Sequence, residues 1–140
     1  MNICIVVANY YKDISNNLID GAIKELDKYN KAKKSSNKIK YKKITVPGVF
    51  EIPFIVSTNI KKFDAFICLG CVIKGETPHF DIISKASINA ILNISIEHNK
   101  IITNGIITSL NKSQAIVRSN IGEKNKGTEA ARALIQLINL

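Results

Sequence analysis

Phe63-Asp64-Ala65-Phe66-Ile67-Cys68-Leu69-Gly70 runs on into Cys71-Val72-Ile73 and then into a turn, Lys74-Gly75-Glu76-Thr77-Pro78. From Ala65 to Ile73 there is no charged side chain and no alternation of apolar and polar positions. A half-exposed strand would alternate. An unbroken apolar run fits a strand covered on both faces, as in a parallel sheet packed between helices. The segment predicts such a strand over 63–70, and Asn2 to Ala8 (NICIVVA) repeats the pattern.

Between and beyond these strands the apolar spacing becomes helical. Asp13 to Tyr29 carries Ile14, Leu18, Ala22, Ile23 and Leu26 on one face, with Asn16, Asn17, Asp20, Lys24, Glu25 and Lys28 on the other. Lys31 to Lys40 reads as a polar, solvated loop. Tyr41 to Val46 reads as a short strand nearer an edge, stopped by Val46-Pro47-Gly48. Phe50 to Asn59 predicts a helix with Pro53 in its first turn, where a missing N–H is tolerated. Thr77 predicts an N-cap, Pro78 the first helical residue, and the helix runs to about His98. Lys100 to Thr108 predicts a fourth strand and Lys112 to Arg118 a short helix. Asn125-Lys126-Gly127 leads into a last helix ending near Ile138. Strands alternating with helices predict the α/β class. The expected architecture is a three-layer α/β/α sandwich around a four-stranded parallel sheet, flavodoxin-like, in one domain over 1–140.

Composition agrees with a globular chain. Of 140 residues 46% are apolar, and the mean hydropathy is +0.07, too high for disorder. No apolar run reaches the roughly 18 residues of a membrane span. The opening residues lack a basic leader and a cleavage site, so no signal peptide and a cytoplasmic location are expected. The net charge of +9 raises nucleic acid as a partner. However, 18 of the 20 basic residues are lysine, with arginine only at Arg118 and Arg132, and base recognition favours arginine. Isoleucine, lysine and asparagine together supply 59 residues. That bias toward A/T-rich codons attributes the charge to composition, so neither nucleic acid nor membrane is expected as a partner.

Cys4, Cys68 and Cys71 are an odd set with no secretory leader, which fits a reducing compartment. Cys68-Leu-Gly-Cys71 has redox-motif spacing. It lies within the apolar strand, whereas a redox pair should open a helix near the surface, so buried core cysteines are expected. No second Cys pair and no His pair at ligand spacing is present, so no metal is expected.

Ligands of parallel α/β sheets bind outside the carboxyl ends of the strands. That selects Asn9 to Lys12, Pro47 to Glu51, Cys71 to His79, and the chain from Ser109 onward. Tyr10 and Tyr11 offer flat faces for a heteroaromatic ring, or simple packing. Glu51 offers a carboxylate at a helix start, where dipole pairing is the simpler reading. Gly75 and the free N–H groups beyond it suit an anion. His79 sets an imidazole beside them, although a helix-start histidine is often only solvated. Arg118 suits forked recognition of phosphate or carboxylate, or the end of a helix dipole.

Taken together, Val46-Pro-Gly-Val-Phe-Glu-Ile-Pro53, Leu69-Gly-Cys-Val-Ile-Lys-Gly-Glu-Thr-Pro-His-Phe-Asp81, Asn104-Gly-Ile-Ile-Thr108, Gln114-Ala115 with Arg118, Asn125-Lys-Gly127 and Glu129-Ala-Ala131 stand in one order. That order closely resembles the lumazine synthase family over nearly the whole chain. The resemblance implies condensation of a ribityl-aminouracil with 3,4-dihydroxy-2-butanone 4-phosphate, the penultimate step of riboflavin biosynthesis, with no cofactor and no metal. It implies that Tyr10 stacks on the pyrimidine and that Val49, Phe50 and Glu51 meet the ribityl chain and ring. Cys71, Val72 and Ile73 would contact the pyrimidine through backbone, Glu76 and Thr77 form the phosphate turn, and His79 transfers protons. Asn104 would lie against the heterocycle, Arg118 would bind phosphate, and Lys126 is the lysine of the Asn-Lys-Gly motif.

The resemblance also implies self-association, with the site between neighbouring subunits in a ring of five and riboflavin synthase as a candidate partner. Three departures stand out. The first loop reads Asn9-Tyr10-Tyr11 where many relatives have Arg-Phe-Asn. The first strand begins at residue 2, and Ser119 to Lys124 reads SNIGEK, which together favour an isolated pentamer, with a decamer second, over a shell. A non-catalytic flavin-binding relative is the competing reading. It need not carry Glu51, His79 and Arg118 together. A basic nucleic-acid-binding α/β protein is the third.

Overall fold

A computed structural model describes residues 1–122 and 124–140. Four strands, β1 (Asn2–Ala8), β2 (Lys40–Val46), β3 (Ala65–Ile73) and β4 (Ile101–Ser109), form one parallel sheet in the order β2-β1-β3-β4. Five helices connect or follow them: α1 (Lys12–Lys31), α2 (Ile52–Asn59), α3 (His79–His98), α4 (Lys112–Ser119) and α5 (Lys126–Ile138). Short 3₁₀ turns lie at Ser35–Asn37 and Val49–Glu51.

The strand period of two divides the interior into two cores. Ile3, Ile5 and Val7 of β1 and Ala65, Ile67, Leu69 and Cys71 of β3 face α1, α4 and α5. Cys4, Val6 and Ala8, with Phe66, Cys68 and Val72, face α2 and α3. Both faces of β1 and β3 are therefore covered, as their unbroken apolar sequence requires. β2 is the edge strand expected, and Lys40 to Lys43 are all exposed.

The element order matches the sequence reading, and the boundaries shift in ways that bear on the site. β3 continues to Ile73, so Cys71, Val72 and Ile73 belong to the strand and the loop is only Lys74 to Pro78. The helix expected from Phe50 is a 3₁₀ turn carrying Phe50 and Glu51, followed by α2. Thr77 is not the N-cap of α3. Pro78 occupies that position, no side chain caps the helix, and the first helical residue is His79. Proline fixes φ near the value found at a helix start, so the turn can enter the helix without a hydroxyl cap. All three cysteines are buried and free. Glu123, within the SNIGEK run, lies outside the described residues.

Two backbone ties and one side-chain clamp hold the carboxyl edge of the sheet. The Asn9 N–H donates to the Val46 carbonyl at 3.0 Å, joining the ends of β1 and β2, and Lys74 N–H donates to Ser109 O at 2.9 Å across β3 and β4. The Ser15 hydroxyl reaches the carbonyls of Ala8 and Tyr11 at 2.8 and 2.7 Å, clamping the β1–α1 turn.

Candidate active site

Two clefts flank α3. The first, about 450 Å³, opens where the strand order reverses, beyond the carboxyl ends of β1, β2 and β3. It collects Tyr10 from the β1–α1 turn, Val49, Phe50 and Glu51 from the 3₁₀ turn after β2, Cys71, Val72 and Ile73 from the end of β3, and His79 from the first turn of α3. Eight of the residues singled out from sequence thus meet in one cleft. Tyr11, the other tyrosine singled out, lines it as well, and Gly48 and Ile83 complete it. Ile83 was findable, since it lies one helical turn after His79.

The two tyrosines play different parts. Tyr10 is 75% exposed at the mouth, with an open ring face. Tyr11 is half-buried against the core, and its ring meets that of Tyr10 edge-on, at 5.0 Å between centroids and 79° between planes. Burial, with Cys71 and Tyr10 adding to it, pushes the Tyr11 phenol up, so it stays neutral at physiological pH. Tyr11 braces and Tyr10 presents. Phe50 is also 65% exposed, a large apolar ring left facing solvent at the cleft. The Glu51 carboxylate folds back over Gly48, where an added Cβ would lie 3.1 Å from Oε2. Glu51 stands at the N-cap position of α2 without a side-chain capping bond, so its oxygens remain open as acceptors.

The second cleft, about 330 Å³, lies beside the edge strand β4 on the other side of α3. It holds Asn104, Arg118 and Lys126, together with Ile88, Ile106, Ile107, Thr108, Lys124 and Glu129. Arg118 is placed by α4, which Asn111 caps by accepting the Gln114 N–H at 2.9 Å. Arg118 sits in the last turn, and its Nη1 makes one long contact, 3.5 Å, to Gln114 O. Its remaining donors face the cleft without a carboxylate partner among the described residues. Lys126 Nζ pairs with Glu129 Oε1 at 3.4 Å. Exposed pairs of this kind are weak, so the ammonium is available to a stronger anion. Asn104 Oδ1 accepts the Ile106 N–H at 2.9 Å, which fixes its amide against the strand.

The Asn-Lys-Gly motif divides into one cleft-lining residue and two structural ones. Asn125 is buried. Its Nδ2 donates to Asn17 O and Ser119 O, and its Oδ1 caps α5 at Thr128 N–H. A Cβ at Gly127 would collide with the Leu18 carbonyl, so α5 can approach α1 only with glycine there. Glu76 and Thr77 line neither cleft. They are exposed on the turn that leads from β3 into α3, and Gly75 has open space around it. Among the described residues no three His, Cys, Asp or Glu side chains come together to hold a metal ion, and no helix is long and apolar enough to cross a membrane.

The sequence profile of the 6,7-dimethyl-8-ribityllumazine synthase family matches residues 1–140. This chain belongs to that family. Among curated relatives bearing that name, the Bartonella bacilliformis protein is 38% identical over 99% of this chain and 89% of its own length. The Protochlamydia amoebophila protein is 39% identical over 97% and 77%, and the Buchnera aphidicola protein is 40% identical over 99% and 86%.

Proposed function

We infer that this chain condenses 5-amino-6-(D-ribitylamino)uracil with 3,4-dihydroxy-2-butanone 4-phosphate to give 6,7-dimethyl-8-ribityllumazine, at a site that two copies complete together. The observation that carries the shared site is the division of the chemistry. The aromatic faces, the carboxylate and the imidazole line one cleft, and the arginine and lysine line another, separated by α3. Neither cleft holds both the proton-transfer group and the phosphate-binding cations. A cyclic head-to-tail contact, in which the β4 edge of one copy covers the first cleft of the next, unites them, and such contacts close into rings. The family resemblance supports a ring of five.

In the completed site the pyrimidine lies on Tyr10, with the backbone of Cys71 to Ile73 meeting its polar edge and Asn104 of the neighbouring copy against the heterocycle. Val49 and Phe50 border the ribityl chain, and Glu51 accepts hydrogen bonds from its hydroxyls. Arg118 grips the phosphate in a fork, with Lys126 beside it and the Glu76–Thr77 turn and the N–H groups opening α3 on the other side. The amine attacks the ketone carbonyl, and water leaves to give the imine. His79 moves the proton that enolises it, phosphate departs with its charge held by Arg118, and the ring closes with loss of water. Much of the acceleration comes from holding two reactants in register. The chain acts without cofactor, as a cytoplasmic enzyme.

Incubating the protein with both substrates and following lumazine fluorescence tests the reaction. Fluorescence that requires both substrates is expected, and none at any protein concentration would overturn it. Analytical ultracentrifugation tests the assembly. An isolated pentamer is expected, and an active monomer would overturn the shared site.

A further inference from the structure

The positive charge of this chain is not spread as codon bias would spread it. Residues 28–43 contain eight of the 20 basic residues and none of the 11 acidic ones. The other 124 residues carry 12 basic against 11 acidic, a net charge of +1. Even scattering of the lysines would place about two in such a stretch. The surplus belongs to one corner of the fold: the last turn of α1, the loop after it, and the first half of β2.

That corner is built rather than loose. Asn30 in α1 clamps the loop by both of its amide atoms, Nδ2 to Ile39 O at 2.9 Å and Oδ1 from Ile39 N–H at 2.8 Å, and Ile39 itself is buried. Lys33 Nζ lies 4.9 Å from the Tyr29 ring centre, and the Tyr41 hydroxyl donates to Asp27. Lys40 and Lys42 share one face of the edge strand and Lys43 turns to the other, so the charges wrap the edge. None of the eight lysines is in an ion pair among the described residues. The corner lies at the amino end of the sheet, opposite the two clefts, so the condensation does not use it.

We propose that this lysine platform binds the phosphodiester backbone of single-stranded nucleic acid without reading its sequence. Lysine ammonium groups are point charges that suit phosphate oxygens, and the platform has no arginine fork for base edges. A membrane surface fits less well, because an interfacial segment needs apolar side chains to insert, and here Ile39 is buried while Tyr29 and Tyr41 are engaged. A protein partner fits less well too, since interface cores are apolar and aromatic and depleted of lysine. What remains is a flexible polyanion whose binding releases counterions.

Fluorescence anisotropy of labelled oligouridylate against the whole protein, across a salt series, reads this out. Binding at low salt is expected, with log affinity falling against log salt at a slope of about −3 to −4, for four to six neutralised phosphates. Lys34→Gln/Lys38→Gln/Lys40→Gln is expected to lower the slope's magnitude by about 2 and low-salt affinity by tenfold or more. Lys24→Gln/Lys61→Gln/Lys62→Gln, equal in charge, should change affinity less than threefold. Lumazine formation should be unchanged in both, which keeps this question separate from the enzyme reading. No binding at low salt, equal losses in the two triples, or binding to phosphatidylserine vesicles but not to oligouridylate would each overturn the proposal.

Discussion

The two clefts beside α3 are made from different materials. The first is aromatic and apolar, with one carboxylate and one imidazole at its rim, and sits where parallel α/β sheets ordinarily hold ligands. The second is small and cationic, and sits at a sheet edge where a single copy has nothing to fill it. On the proposed reading, the contrast means that orientation and charge stabilisation come from separate surfaces. Exposed apolar side chains nearby point the same way. Ile82, Leu92 and Ile96 of α3 are 61, 55 and 66% exposed, and Leu110 before α4 and Ile116 and Val117 within it are 60, 42 and 48% exposed. Patches of this kind on a globular chain mark contact surfaces.

The sharpest way to break the two-cleft reading is complementation. On that reading Arg118→Ala removes the charge proposed to receive the departing phosphate, and loss of one such donor lowers turnover by about a hundredfold or more. His79→Ala removes the proposed proton carrier and is expected to slow turnover about ten- to a hundredfold without abolishing it. Each variant spoils a different cleft. Mixed and reassembled in equal amounts, the two variants give some junctions with both clefts intact. Half the copies offer a sound first cleft and half a sound second one, so about a quarter of the junctions are whole. Recovery to about a quarter of the wild-type rate is expected after reassembly. Recovery no greater than the average of the separate variants would mean that both residues act within one copy.

A milder change at Arg118 separates fork from charge. Arg118→Lys keeps the positive charge and loses the bidentate geometry. A rise in KM for the butanone phosphate is expected, with weaker inhibition by inorganic phosphate and little change in KM for the pyrimidine. Equal effects on both substrates would make Arg118 a helix-end charge rather than a phosphate ligand.

Within the first cleft the two tyrosines offer the next contrast. Tyr10→Ala removes the open stacking face and should raise KM for the ribityl-aminouracil about tenfold, the lower part of the range for base–aromatic stacking. Tyr11→Phe keeps the ring that braces Tyr10 and should change that KM less than about threefold. If the order of these effects is reversed, Tyr11 presents the ring and Tyr10 only shields it.

Legibility in the sequence follows how local each cause is. β1 and β3 are plain because a strand covered on both faces must be apolar at every position, and the helical face of α1 is plain because Leu18, Ala22 and Leu26 repeat at its period. The first cleft is legible for the same reason, since its residues follow strand ends that the alternation of elements locates. Thr77 is the counterexample. A hydroxyl before a proline at a helix start satisfies the capping rule, yet Pro78 enters the helix unaided and the hydroxyl caps nothing. The division into two clefts is not legible at all without the strand order. It exists because β4 is an edge and α3 contributes Ile83 to one cleft and Ile88 to the other. The structural half of the Asn-Lys-Gly motif is equally hidden, since only the approach of α5 to the Leu18 carbonyl explains Gly127.

The smallest effect is expected at Cys71, and it tests whether the first cleft works by shape and backbone rather than by its thiol. Burial pushes the Cys71 pKa up to about 11, so the side chain is a thiol at neutral pH, and the thiolate is the nucleophile. Cys71→Ala should leave turnover within about twofold, and iodoacetamide near neutral pH should leave activity intact. Stability carries the thiol's signature instead. The folded value lies above the ordinary thiol value of 9.0, so between about 9 and 11 the folded chain keeps a proton that the unfolded chain releases. Stability is therefore unaffected by this group at lower pH and falls as pH rises through that window. Cys4, pushed to about 11 by burial against the opposing pull of Lys42, acts in the same direction. Thermal melts of the wild type and Cys71→Ala should differ most near pH 7, where the sulfur's packing counts in full, and the gap should narrow near pH 10. A gap constant across that range would mean that Cys71 keeps an ordinary thiol's titration, and inactivation by iodoacetamide at neutral pH would put a thiolate in the cleft and give it a part in the chemistry.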